Sequence, residues 1–410
     1  MQKLRRLKLT EILSDQSITV IFSGVSKHKT ADQSFPFEIN RNFFYLTGLN
    51  EANMALLIIK SGLTVKEYIF KEIRSPERAL WDGELLSVEE TSQISKVSTI
   101  RNIDLLPNFL KMVTSSTRSA EFGKLETIYL DLETNNLDSQ SYKLSNDIKT
   151  IHPYLQIKNI HNELAQLRMI KDESEVANLK KAIAITKIGL NHIMKNLKAG
   201  IYEYQVQAEY EYILNMNQSK PSFDTIAASG HNATVLHYVK NDSILQDNDL
   251  MLFDLGANYQ NYASDISRTY PVSGKFSSRQ KEFYQIVLKA NKESIKMLKP
   301  GVTWKEYNDF AKNILAEGLI KLGVISDPND IGQYYYHSIG HFLGLDVHDV
   351  GNYQMPLQPG MIVTVEPGLY ISEENIGIRI EDDILITEDG AINLSKDIIK
   401  EIDEIEAFMK

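Results

Sequence analysis

The most constraining feature of this chain is a change of texture near His161. Before that point, short apolar runs at 17–22, 53–59, 67–70 and 127–131 are separated by polar connections and helical patterns. Apolar runs of that length, bounded by turn residues, read as strands, so residues 1–160 predict a smaller α/β domain. Beyond it, 164–170 leads into KDESEVANLKKAIAITKIGLNHIMKNL, where Val176, Leu179, Ile183, Ile188 and Ile193 recur at helical spacing. Asp172 or Ser174 stands where that helix needs a cap. A second helical segment at 203–218 is followed by strand text, then come helices at 279–298 and 305–322 and a final β block over 361–386. Strands segregated from helices predict an α+β domain over 161–410.

Composition narrows the chemistry more than the fold. A chain of 410 residues suggests two or three domains. Lys+Arg number 44 against 54 Asp+Glu, a net charge of −10, so the basic face of a dedicated nucleic-acid binder is not expected. The count of Cys is 0, which removes disulfides, thiol nucleophiles, thiolate zinc sites and iron–sulfur clusters together. Any metal must therefore be held by oxygen and imidazole. No apolar stretch approaches the roughly 18 residues that a membrane helix needs, and no membrane partner is expected. Lys3, Arg5, Arg6 and Lys8 precede only SITVIF, too short for the apolar core of a signal peptide. Leu4, Leu7, Ile12 and Leu13 predict the apolar face of a first amphipathic helix. A mitochondrial presequence is the alternative, with Glu11 and Asp15 against it, and the expectation is a cytoplasmic protein.

Two hairpin-like segments carry acids. In FDLGANYQNYASDISRTY, Asp254 ends an apolar strand and Asp265 opens another. A turn centred between Tyr259 and Gln260 sets the two opposite each other, with Cβ atoms about 4.5–5.5 Å apart. Carboxylates that close repel and raise one pKa unless a cation lies between them. A pair of solvated hairpin acids has the same sequence appearance. VTVEPGLYISEENIGIRIEDDILI repeats the arrangement: with a midpoint between Glu373 and Glu374, Glu366 faces Glu381. Period two then places Ile378, Ile380, Ile384 and Ile386 on one face and Arg379, Glu381 and Asp383 on the other. An exposed polar face is the plain reading of that strand alone, and a bulge would spoil either register.

Between these hairpins, HSIGHFLGLDVHDVG gathers His337, His341 and His348, three of the 9 histidines. Gly340 and Gly344 allow sharp turns or close backbone approach. The i, i+4 spacing of His337 and His341 suggests a zinc protease, but that motif needs Glu after the first His, and Ser338 stands there. Four carboxylates and an imidazole form a hard, oxygen-dominated set that suits Mn²⁺, Co²⁺ or Fe²⁺, with Zn²⁺ less favoured, and has enough oxygens for two ions. Two ions that activate a shared water predict a dinuclear metallohydrolase. The substrate is not named by these residues.

Together the motifs resemble the pita-bread metallopeptidases, in the proline-directed branch of Xaa-Pro aminopeptidases (aminopeptidase P) and prolidases. SGHNATVLHYVKND, FDLGANYQNYASDISRTYPVSGKF, HSIGHFLGLDVHDVG, VTVEPGLY and GIRIEDDILIT follow in that order. TADQSFPFEINRNFFYLTGLNEANMALLI is similar to the aminopeptidase P N-terminal domain, so the resemblance covers nearly the whole chain. It implies a pita-bread (creatinase/aminopeptidase-like) C-terminal catalytic domain. It also implies two divalent ions, Mn²⁺ first, held by Asp254, Asp265, His341, Glu366 and Glu381, with Asp265 and Glu381 bridging both.

The same resemblance implies that His237 and His348 contact substrate, that His337 lines the site and that Arg379 supports it from behind. Asp32 is a looser match that would reach Arg379 from the first domain. His231 departs from the family pattern and receives no role. The implied reaction releases the N-terminal residue from peptides with proline second. A metal-bridging hydroxide attacks the carbonyl before proline, and Glu366 shuttles the proton. Proline-containing peptides are the implied partners, and a homodimer or homotetramer the assembly. Prolidase, restricted to dipeptides, is the alternative. A methionine aminopeptidase lacks so large a first domain, and a creatinase-like enzyme lacks several of the ligands. A non-catalytic pita-bread binding protein is the remote reading, and missing ligands would signal it.

Overall fold

The apolar runs of the first part become neighbouring strands of one sheet. The computed structural model, which describes residues 1–115, 121–133 and 137–410, divides into the units Met1–Arg168 and Met169–Lys410. In the first, strands lie in the order Thr99–Asn102, Thr64–Lys71, Ala55–Ser61, Ser17–Phe22, Thr127–Leu130, Gln156–Asn159. Ser17–Phe22 runs antiparallel to Ala55–Ser61 and parallel to Thr127–Leu130. Ile18, Val20, Leu57, Ile59, Ile128 and Leu130 pack with Phe70 and Phe109 in its core. The two outer strands escape the sequence reading because TIRN and QIKN are polar, as edge strands with one neighbour often are.

The first helix, Gln2–Ile12, does not use the predicted face. Leu4, Leu7 and Ile12 are exposed, and of the predicted four only Leu13, just past the helix end, is buried. Arg5, Arg6, Leu9 and Thr10 are the residues buried within the helix. Arg6 supplies the reason. Its guanidinium pairs with Glu67 at 2.9 Å and donates to the carbonyls of Leu46 (2.8 Å) and Ser95 (2.9 Å). A fork of five donors satisfies a buried charge, so a face that carries arginine can be the buried one.

The helix His161–Met169 begins at the predicted boundary but packs on the first unit. His161 Nδ1 lies 2.8 Å from Asp131, Tyr45 donates to the Leu167 carbonyl, and Arg168 donates to Asn42 at 2.9 Å. The units therefore divide after Arg168.

In the second unit, helices Glu173–Asn196, Glu203–Met216, Ser278–Met297 and Trp304–Lys321 fall close to the predicted spans. Asp172 is the cap of the first, accepting from the amides of Ser174 and Glu175 while Glu175 reaches back to the Asp172 amide. The strands form small antiparallel sheets: Ile226–Ser229, Leu250–Leu255 and Ile266–Pro271 in one, Ile362–Val365, Asp382–Ile386 and Ala391–Asn393 in another. Gly368–Ile371 pairs with Ile376–Arg379. Ile185, Leu190, Phe253, Tyr270, Phe283, Val287 and Ile378 join helices to sheets in a common core. No helix of the described residues is long and apolar enough to cross a membrane.

The two hairpins differ in how well their register was predicted. In the first, Tyr259 pairs with Tyr262, so the turn is Gln260-Asn261 rather than Tyr259-Gln260. Both turn residues have positive φ, 52° and 65°, as type I′ hairpin turns require. Asp254 consequently faces Ser267, not Asp265. In the second, Ile362 faces Leu385 and Gly368 faces Arg379, which is the predicted register. Glu366 and Glu381 therefore lie across from each other, between those two ladders. The four predicted isoleucines are buried, and so are Arg379, Glu381 and Asp383 on the other face.

Candidate metal centre and active site

The hairpins and the histidine segment surround one cavity of about 530 Å³. Asp254, Asp265, His341, Glu366 and Glu381 line it, together with His237, His337, His348 and Arg379. Leu236, Trp304, Asn308, Ser338, Gly340 and Tyr353 complete the wall. His231 lies exposed in the turn Gly230–Thr234 and does not line the cavity. Asp32 is exposed beside the strand Gln33–Ser34 of the first unit.

His341 owes its place to a close backbone contact. A Cβ on Gly340 would meet the Thr364 carbonyl at 2.1 Å, so only glycine lets this segment run against the strand Ile362–Val365. There the His341 amide donates to Thr364 Oγ1 and the Thr364 amide to the His341 carbonyl. His341 Nδ1 lies 2.9 Å from the Phe342 carbonyl, which fixes its proton there. Nε2 is then directed at Asp265 (3.3 Å) and Glu366 (3.5 Å). A backbone carbonyl on the far nitrogen is the usual support of a metal-ligating imidazole.

The carboxylates are crowded and under-satisfied. Asp265 is 4% and Glu381 2% exposed. Asp265 Oδ1 and Glu381 Oε1 have no hydrogen-bond partner, a state that costs a buried polar atom about 1–3 kcal/mol. Burial, with Asp254 nearby, pushes the Asp265 carboxyl up to about 6 against the pull of His341. Burial and Asp265 push Glu366 up to about 7, again against His341. Glu381 is driven well above the carboxylate range by burial and by Asp265, Glu366 and Asp254. Burial works to lower the His341 pKa, but the hydrogen bond to Asp265 and the charges of Glu366 and Asp265 raise it to about 9.

Ligand atoms of Asp254, Asp265 and Glu381 lie within 4.8 Å of one another, as do those of His341, Glu366 and Glu381. Asp265, His341 and His348 form a third such group. Orphaned carboxylate oxygens, mutual repulsion and an oxygen-plus-imidazole donor set all fit divalent cations.

A hydrogen-bonded frame holds this set. Arg379 donates to Asp254 (2.6 Å), Ser267 (2.8 Å) and Tyr370 (2.9 Å). Ser267 Oγ lies 2.8 Å from Glu381 and 3.1 Å from Asp254. The Tyr370 hydroxyl, which accepts from Arg379, is left to donate to His337 Nε2 at 2.8 Å, while His337 Nδ1 faces the Ser338 carbonyl. His337 is accordingly neutral, its pKa lowered to about 3 by burial and by Arg379. Ser267 and Tyr370 were missed from the sequence. Recognising Gln260-Asn261 as a two-residue turn would have placed Ser267 opposite Asp254, but a tyrosine within strand text carries no such signal.

Residues 177–388 match the family description "Metallopeptidase family M24", just over half of the chain. The chain belongs to that family. Residues 3–120 match "Aminopeptidase P, N-terminal domain". An Xaa-Pro aminopeptidase from Haemophilus influenzae is 36% identical over 99% of this chain and 96% of its own length. The structure of a putative aminopeptidase P from Bacillus anthracis is 42% identical, with a TM-score of 0.96 over 100% of this chain and 97% of that one. An Escherichia coli aminopeptidase P in complex with substrate is 30% identical, with a TM-score of 0.91 over 100% and 97%. The M24 chain is thus a metal-dependent aminopeptidase. Its pita-bread catalytic domain follows an aminopeptidase P-type N-terminal domain, and its relatives favour the aminopeptidase over the prolidase.

Proposed function

We propose that this M24 enzyme releases the first residue of peptides whose second residue is proline. The observation that carries the reading is the convergence of four carboxylates and His341 Nε2 on one cavity, two carboxylate oxygens lacking any partner. Asp254, Asp265, His341, Glu366 and Glu381 would hold two divalent ions, with Asp265 and Glu381 shared between them. When bound, such ions supply a Lewis acid for the scissile carbonyl and lower the pKa of water.

The chain's own groups do the rest. The Xaa-Pro bond is a tertiary amide without an N–H, so the departing prolyl nitrogen must gain a proton to leave as a secondary amine. Glu366 takes that proton from the attacking water and delivers it to the nitrogen. His237 and His348, which project into the cavity, donate to the oxygen that becomes negative in the tetrahedral intermediate. Burial and the neighbouring His341 lower the His348 pKa, which keeps it a neutral donor. Neutral His337 lines the pocket, and Arg379 holds Asp254 in place.

Mn²⁺ as the native metal, a homodimer or homotetramer as the assembly and the cytoplasm as the compartment belong to the same proposal. So does the division into an N-terminal domain 1–160 and a catalytic domain 161–410, although the opening helix of the latter span, His161–Met169, falls almost wholly within the compact unit Met1–Arg168. The test is an assay of chelator-stripped protein refilled with Mn²⁺ on Xaa-Pro-Zaa tripeptides and Xaa-Pro dipeptides. Release of Xaa from the tripeptides is expected. Turnover of dipeptides alone would replace the reading with prolidase, and no turnover of either with metal bound would overturn it.

A further inference from the structure

One buried carboxylate outside the cavity gathers the segment that carries His237. Glu203, the first residue of the helix Glu203–Met216, is 0% exposed. Its Oε1 accepts from the Ser229 amide (2.7 Å), Ser229 Oγ (2.7 Å) and Asn232 Nδ2 (3.1 Å). Its Oε2 accepts from the Tyr238 hydroxyl (2.8 Å) and the Ser243 amide (3.0 Å). The Glu203 amide returns a bond to the Ser243 carbonyl. A single side chain thus ties down both ends and the middle of 229–243. His237 is exposed, lines the cavity and adjoins Tyr238 directly. Its reach into the cavity is set by the backbone that Glu203 holds.

We propose that Glu203 is a positioning residue for His237, acting through Tyr238 and the 229–243 segment. Hydrogen bonds to an ionised acceptor are about twice as strong as neutral ones, so a carboxylate is suited to pinning five donors. The proposal rests on the functional reading only in giving His237 a contact with substrate. A purely structural role would instead have Glu203 support the strand Ile226–Ser229, whatever happens at residue 237.

A double-mutant cycle on Mn²⁺-loaded enzyme separates the two. Glu203→Gln should lower kcat/KM on an Xaa-Pro-Zaa tripeptide by roughly ten- to a hundredfold, since misplacing a catalytic contact by about 1 Å costs that much. The loss should appear in whichever of kcat or KM His237→Ala moves. In the His237→Ala background, Glu203→Gln should cost no more than about threefold further, the non-additivity expected of one unit. Equal losses in both backgrounds would overturn the proposal, as would loss of bound Mn²⁺ measured by metal analysis. If Glu203→Gln does not fold, Tyr238→Phe carries the same cycle with the same criteria. If the wild type cleaves no peptide, the functional reading fails alone. The positioning is then read by hydrogen exchange, where Glu203→Gln or Tyr238→Phe should speed exchange in 229–243 and leave Leu250–Leu255 unchanged. Unchanged exchange in 229–243 would sink it.

Discussion

Glu381 and Asp382 are neighbours in the chain, 2% and 0% exposed, and face opposite sides of the same strand region. Glu381 points into the cavity, where one oxygen has no partner and burial, with the neighbouring acids, pushes its pKa up. Asp382 points behind, where its oxygens accept from Arg268 (2.9 Å), Ser395 (2.7 Å) and Lys400 (2.5 Å). Burial works to raise the Asp382 pKa, but Arg268 and Lys400 override it and hold it well below the usual range. Burial alone therefore does not distinguish a structural acid from a metal-binding one. What separates these two neighbours is the completeness of their partners and the cavity that Glu381 lines. The satisfied side also clamps the other: Arg268 donates to the Glu381 carbonyl, and Asn291, held by Lys400, donates to the carbonyls of Val365 and Ile380.

The largest expected effect tests the cavity side. Glu381→Ala should reduce peptidase activity to background if, as proposed, its carboxylate is shared between two ions. Metal-free stability should hold or rise, because a carboxylate repelled by its neighbours is removed; chelator-treated thermal melts read this. A large drop in metal-free stability would place Glu381 with the structural acids and break the comparison. The opposite result is expected behind. Asp382→Asn should cost about 3–5 kcal/mol in urea unfolding without metal, since it leaves Arg268 and Lys400 as buried cations without their anion.

The pH dependence of metal-free stability should sharpen the contrast. Asp265 is raised from 3.8 to about 6, Glu366 from 4.5 to about 7 and His341 from 6.5 to about 9. Raised folded pKa values give stability that is full below the unfolded pKa and lost as pH rises through the folded one. Asp382 is lowered, so its contribution is present above about 4 and lost as pH falls below that. Metal-free protein should thus be most stable near pH 4–5 and lose on the order of a few kcal/mol by pH 7. Divalent metal should remove most of that alkaline loss. Chemical unfolding at fixed ionic strength across pH 4–8 measures it, and a flat profile would contradict the reading of Asp265 and Glu366.

The cavity side was legible mainly through the ordered family motifs and the clustered histidines, because hairpin acids alone read equally well as a solvated face. The satisfied side was not. Arg268 and Asp382 lie in apolar strands 114 residues apart, and nothing local says that they meet each other and Lys400. Arg6 was invisible for the same reason. The small α/β sheet was legible in its apolar strands and not in its polar edges. The first hairpin failed on one residue of turn position, because Gln260 is an unusual occupant of a left-handed conformation.

That turn carries the smallest prediction. A non-glycine residue at positive φ is disfavoured by roughly 1–2 kcal/mol, less for Asn than for Gln. Glycine in exchange loses about 0.5–1 kcal/mol of chain entropy on folding. Gln260→Gly should therefore raise stability by about 0.5 kcal/mol, read as a small shift of the urea midpoint. Activity should not change, because Tyr259 would still pair with Tyr262 and keep Ser267 opposite Asp254. Alternation along the same strand keeps Arg268 on the far side with Asp382. If the turn were centred one residue earlier, Gln260 would remain a turn residue but Asn261 would be extended and opposite Asn258. Asn261→Gly, nearly neutral in the observed turn, would then instead lower stability.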